Sequence, residues 1–184
     1  MKKRDTGVRY LTTIKEICDS IDLSQIRAII RILERKLKGG KMIFVCGNGG
    51  SAATASHFAC DLMKTSNEPF KAVCLNDDIP LMTAIANDLD YGYVFSFQLA
   101  KLASKGDLLV VITGSGNSAN IVEAVRFANS LGIETVAFLG KGGGKVKDLV
   151  DEHILIPSNE YGPIEDFHMI LVHLITEHFK KNGS

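Results

Sequence analysis

The chain has 184 residues and 46% hydrophobic content, enough for one compact domain with a sizeable core. Its 21 Lys and Arg balance its 21 Asp and Glu, so bulk charge favours neither nucleic acid nor an anionic membrane, and no apolar run is long enough to span a bilayer. Its four cysteines, Cys18, Cys46, Cys60 and Cys74, form no CxxC pair, which points to reduced thiols and a cytoplasmic location.

The N-terminus, Met1-Lys2-Lys3-Arg4-Asp5, leads into a charged amphipathic segment and not a signal-peptide apolar region. Leu11, Ile14, Cys18 and Ile21 recur at helical spacing, as do Ile26, Ile29, Ile30, Leu33 and Leu37. Asp22 or Ser24 is placed to cap the second helix, and Gly39-Gly40 ends it. Residues 1–40 therefore read as a helical hairpin of the same domain, whose apolar stripes suit a subunit interface. Met42 to Cys46 reads as a buried strand, breaking into Gly47-Asn48-Gly49-Gly50-Ser51. Ser51 stands where a helix is capped, and Ala52 to Leu62 suits that helix.

Ala72 to Leu75 is a second strand, broken by Asn76-Asp77-Asp78. Leu81 to Ala86 is helical, interrupted at Asn87-Asp88, and Val94 to Leu102 is a further helix. Leu108 to Ile112 has the continuous apolar character of a central parallel strand. It runs into Thr113-Gly114-Ser115-Gly116-Asn117-Ser118 and a helix carrying Ile121, Val122, Ala124, Val125 and Ala128. Thr135 to Leu139 is the fourth strand, followed by Gly140-Lys141-Gly142-Gly143-Gly144. His153 to Ile156 is the last, and Ile164 to Phe179 closes the chain as a long helix. This alternation predicts an α/β fold with a single doubly wound parallel five-stranded sheet behind two N-terminal helices, residues 41–184 forming the sheet domain.

In such sheets ligands bind beyond the carboxyl ends of the strands. Three strand ends here carry small or glycine-rich turns, at 47–51, 113–118 and 140–144. The first joins bare backbone N–H groups to the positive end of a helix dipole, which is an anion site. It matches neither the dinucleotide nor the nucleoside triphosphate fingerprint. The second adds the hydroxyls of Thr113, Ser115 and Ser118, donors that suit a phosphate monoester. Ordinary turn chemistry would account for either loop alone. His57 and Asp61, four residues apart, share one helix face beside the first loop, though alone they read as a surface pair. On the last helix Glu165 and His173 lie about 80° apart, whereas His168 points about 140° from His173.

The stretches GNGGSAATASHFACDL at 47–62, AIANDLDYGYVFSFQ at 84–98 and GDLLVVITGSGNSANIVEA at 106–124 resemble the sugar isomerase (SIS) domain family. FLGKGGGKVKDL at 138–149 and IEDFHMILVHL at 164–174 extend the resemblance, which is narrower to the phosphoheptose isomerases that act on sedoheptulose 7-phosphate. The resemblance implies a flavodoxin-like SIS-type sheet and a phosphate pocket of Ser51, Thr113, Ser115 and Ser118. It also implies that Asn48, Gly49, Asn87 and Asp88 face the sugar, and that Glu165 stands at a substrate-binding position. Family members hold zinc through a His-x-x-x-Glu pair and a Gln/His pair on the last helix. Those positions here are His57, Asp61, Glu165 and His173, implying one zinc or other divalent metal per subunit. One carboxylate is a methylene shorter, and another replaces an amide.

Asp61 and His173 fall at the family's acid/base positions for an enediol isomerisation. The family's homotetramers, with sites completed by a neighbour, are implied as well. Where relatives show Gly-Arg-Tyr, this chain has Lys64-Thr65-Ser66, so an arginine at the ligand is missing. The alternative implied by the family is a non-catalytic relative that binds a phosphosugar or a replication initiator.

Overall fold

A computed structural model describes residues 5–64 and 70–180. Two helices, α1 Thr6–Ser20 and α2 Leu23–Lys38, precede β1 Met42–Gly47 and α3 Gly50–Lys64. Then come β2 Lys71–Cys74, α4 Ile79–Asp88, a short 3-10 turn Tyr91–Tyr93 and α5 Ser96–Leu102. The second half runs β3 Leu108–Thr113, α6 Ala119–Leu131, β4 Glu134–Leu139, β5 Glu152–Leu155 and α7 Tyr161–Phe179. The five strands form one parallel sheet in the order β2-β1-β3-β4-β5. That order reverses between β1 and β3, the point at which open parallel sheets bind ligands beyond their strand ends. The expected α/β architecture is therefore the one observed.

Side chains alternate across each strand, so the sheet feeds two cores. Ile43, Val45, Leu108, Val110 and Ile112 pack with Phe58, Leu62, Leu171 and Ile175, under α2, α3 and α7. Phe44, Cys46, Leu109 and Val111 pack with Phe95, Leu99 and Val125, under α4, α5 and α6. Phe58 on α3 is fully buried, its ring 5.9 Å from that of Phe138, which fixes the helix carrying His57 and Asp61 onto the sheet.

The N-terminal stripes divide. Ile26, Ile29, Ile32 and Leu33 of α2 are buried inside this chain, against β5 and α7. On α1 only Ile17 is buried, while Val8 and Leu11 keep 57% and 69% of their surface. Asp22 is the cap of α2, its carboxylate accepting from the Ser24 N–H at 2.8 Å. Helix boundaries shift where side-chain chemistry is subtle. α3 begins at Gly50, so Ser51 lies inside the first turn and is not its cap. Helix α4 absorbs Asn87 and Asp88, and the residues after it form the 3-10 turn at Tyr91–Tyr93.

Candidate active site

The loops after β1 and β3 leave adjacent strands, with Gly47 opposite Ile112 in the register. A Cβ on Gly47 would lie 2.5 Å from the Ser51 carbonyl oxygen, so only glycine lets the chain turn back this tightly. Asn76 holds the turn from β2, its amide oxygen accepting from Gly47 N–H at 3.1 Å and its amide donating to Gly47 O at 2.9 Å. Asn48 and Asn120 exchange two amide hydrogen bonds, of 2.8 and 2.9 Å, and Tyr91 donates its hydroxyl to the same Asn48 oxygen at 3.0 Å. The first loop is thus tied to the first turn of α6. Sequence reasoning missed Asn76, Asn120 and Tyr91. Spacing gives no signal for them, because their partners are 29, 72 and 43 residues away.

The expected row of bare N–H groups in the first loop is partly filled. Ser51 and Ala52 N–H turn back onto the carbonyls of Asn48 and Gly49, at 3.1 and 3.0 Å. Ser51 and Thr113 are 4% and 5% exposed and stand beneath their loops, while Ser115 and Ser118 are half-buried nearer the surface. Thr113 Oγ1 accepts from Gly116 N–H and Ser115 Oγ from Asn117 N–H, so neither bond uses the hydroxyl proton. Ser118 caps α6 by position but makes no side-chain capping bond. Gly116 sits at φ 63°, and a Cβ there would meet Gly143 O at 1.8 Å, so the second and third loops touch through it.

Helices α3 and α7 lie side by side, and from them three side chains converge. His57 Nε2 and His173 Nε2 are 3.0 Å apart, and His57 Nε2 is 3.4 Å from Asp61 Oδ2. All three offer ligand atoms within 4.8 Å of one another. Metal–nitrogen and metal–oxygen bonds of about 2.0–2.2 Å need donors grouped on that scale, so the set fits a divalent cation with a coordination position open to a ligand. The His57 side chain keeps 43% of its surface and Asp61 17%. Ligand can therefore reach the group, and its rims remain fixed by the buried faces of both helices.

Glu165 does not join this group. Its carboxylate stands over the start of α3, where a Cβ on Gly50 would lie 2.5 Å from Oε2. The physical reason is axial distance: eight residues place Glu165 and His173 about 12 Å apart along α7, although they share a broad face. His168 lies on the core side of α7, fully buried, with Nε2 3.4 Å from Leu139 O and no partner for Nδ1. Burial holds its imidazole down at about 4, well below the usual 6.5. Asp88 ends α4 exposed, accepting from the neighbouring Asn87 amide at 2.9 Å, and Tyr91 reaches Asn48 where that pair does not. Gly49 is exposed at the tip of the first loop. Lys64 is the last described residue of α3, and Thr65 and Ser66 lie outside the described residues.

A sheet ordered about a switch point, with hydroxyl loops and a His-Asp-His group on the helices beside it, defines a protein built to handle a small anionic ligand. The family model described as SIS domain matches residues 9–140, and the chain belongs to that family. Its curated relatives are more particular. It is 42% identical to the phosphoheptose isomerase of Aliarcobacter butzleri over 150 residues, 80% of this chain and 79% of the relative. To that of Geobacter metallireducens it is 36% identical over 177 residues, 93% and 94% of the two chains. The solved phosphoheptose isomerase of Neisseria gonorrhoeae superposes with a TM-score of 0.87 at 31% identity, covering 94% of both chains.

Proposed function

We propose that this protein interconverts a ketose phosphate and an aldose phosphate, sedoheptulose 7-phosphate and D-glycero-D-manno-heptose 7-phosphate. The single observation that carries the reading is the meeting of His57, Asp61 and His173 on the helices flanking two hydroxyl-rich loops. Phosphoheptose isomerases similar over nearly the whole chain support it. The reaction moves a proton between C1 and C2 through an enediol and needs one group to take the carbon proton and another to serve the oxygens. Asp61 and His173 are the pair we assign to those roles. Ser51, Thr113, Ser115 and Ser118 receive the phosphate, with Asn48, Gly49 and Asp88 toward the sugar hydroxyls. At about 1.5 Å per residue, His57 stands about 9 Å along α3 from Ser51, which suits a chain-like sugar phosphate held by its far end.

His57, Asp61 and His173 would hold zinc or another divalent cation, one per subunit. Such an ion polarises the carbonyl and hydroxyl oxygens of a bound sugar. Glu165, distant from these three within the protomer, is assigned to the substrate and not to the metal. We infer a homotetramer, supported by the apolar residues Val8, Leu11, Ile170 and Leu174 left exposed on α1 and α7. A cleft of about 350 Å³ there is lined by Leu11, Ile14, Ile170 and His173, so a second copy would close over the site. Four unpaired cysteines support a cytoplasmic setting. Among the described residues no helix is long and apolar enough to cross a membrane.

The binding-only alternative is not favoured, since it gives no use for three converging ligand groups. Purified protein mixed with zinc and sedoheptulose 7-phosphate should yield an aldose phosphate. Absence of turnover across a panel of ketose phosphates would refute the assignment.

A further inference from the structure

The third strand-end loop, residues 140–144 after β4, supplies none of the residues of the proposed site. Its first residue after Gly140 is Lys141, held at φ 46°. Among the described residues it is the one non-glycine with positive φ, and the three residues after it, at φ 78°, 93° and 55°, are glycines. Side chains in that region carry backbone strain, and glycine would sit there without it. A lysine held at such a position points to a use for its side chain.

The Lys141 ammonium stands 3.5 Å from the centre of the Tyr161 ring, a cation–π contact. The same ring packs on Gly114, where a Cβ would lie 3.1 Å from its Cδ1 and Cε1 atoms. Thr113 and Leu139 are register partners, so Gly114 and Lys141 leave neighbouring strands at the carboxyl edge of the sheet. Tyr161 opens α7, and one turn later Glu165 stands over Gly50 of α3. The ammonium is therefore parked beside the 113–118 loop, on the sheet face that carries the His-Asp-His group. That loop offers hydroxyls and amides but no formal charge. A phosphate monoester carries about −1.5 to −2 charges at neutral pH, and neutral donors alone leave most of that charge unpaired.

We propose that Lys141 is a binding residue for the phosphate of the ligand, its ammonium leaving or leaning from the Tyr161 ring to pair with a phosphate seated on Ser115 and Ser118. The Tyr161 face holds the lysine extended toward the site when no anion is present. This rests on the proposed isomerase site and names the group that neutralises its substrate.

The test is calorimetric titration of inorganic phosphate into the unaltered protein, Lys141→Gly and Lys141→Arg, with steady-state kinetics on sedoheptulose 7-phosphate. Removing one charge-assisted contact should weaken phosphate binding about tenfold, with the loss in turnover falling on KM and not on kcat. Lys141→Arg should restore most of the affinity. Lys141→Gly relieves the backbone, so its thermal midpoint should stay close to that of the unaltered protein. Lys141→Asn, also tolerant of positive φ, serves as a second cation-free variant if the glycine form folds poorly. Phosphate binding and KM unchanged in both cation-free variants would overturn the proposal. Lysine-dependent phosphate binding without turnover of any ketose phosphate would instead overturn the isomerase reading and leave the anion site standing.

Discussion

His57 and His173 present the same ring nitrogen to each other at 3.0 Å, one able to donate and the other to accept. Neither side chain is part of the core, so losing His173 should barely affect folding. We expect His173→Ala to change stability by less than about 0.5 kcal/mol, while kcat falls by about 10²–10⁴. Denaturant melts paired with steady-state rates check both halves. A drop in stability matching the drop in activity would mean the residue is structural. His168, five residues earlier, behaves in the opposite way. Its imidazole protonates near 6.5 when unfolded but only at about 4 when buried, because desolvation disfavours the cation. Between those values the unfolded chain binds the extra proton, so stability is intact above about pH 6.5 and is lost as pH falls toward 4, by about 3 kcal/mol. Urea melts at pH 7 and pH 4.5 should register that loss. His168→Leu should flatten the slope, and an equal slope in the variant would remove His168 as its cause.

At the scale of elements, the site depends on loops fixed to one another and not only on their own glycines. The Asn48–Asn120 amide pair ties the β1 loop to α6, and Tyr91 adds a third bond. A double-mutant cycle on Asn48→Ala and Asn120→Ala should give a coupling energy of about 1 kcal/mol or more in stability, and each single variant should already raise KM. Additive effects would show that the two loops are held independently. The strands and long helices are legible in the sequence because their apolar patterns are strong, a continuous run at Leu108 to Ile112 and helical spacing along α7. The turn chemistry was legible only in part. Ser51 looked like a cap, yet α3 starts one residue earlier because Gly50 continues directly from the turn closed by Asn48 O and Ser51 N–H. The angular reading of α7 separated His168 from His173 correctly. It places Glu165 and His173 on one broad face but carries no information on the rise that separates them along the axis. Asn76, Asn120 and Tyr91 act through partners that only the fold supplies.

For the whole molecule, the two-sided sheet explains why residues 116 positions apart meet: α3 and α7 cover the same face and pack side by side. The meeting of His57 with His173 was implied by family resemblance and not by spacing, which sees one helix at a time. The exposed stripe of α1 and α7 makes a further prediction. Leu11→Glu should shift the protein toward smaller species in light scattering and lower activity with it, because the cleft beside His173 would stay open. A fully active monomer would contradict that. The proposed chemistry requires one arrangement: an ion held by His57, Asp61 and His173, and a phosphate held by the loops after β1 and β3, in one continuous site. Diffraction at the zinc edge from crystals soaked in zinc and sedoheptulose 7-phosphate tests it most directly. We predict an anomalous peak bridging His57 Nε2, His173 Nε2 and an Asp61 oxygen, with the phosphate on Ser115 and Ser118 of the same site. Metal bound elsewhere, or sugar phosphate seated away from those loops, would contradict the account.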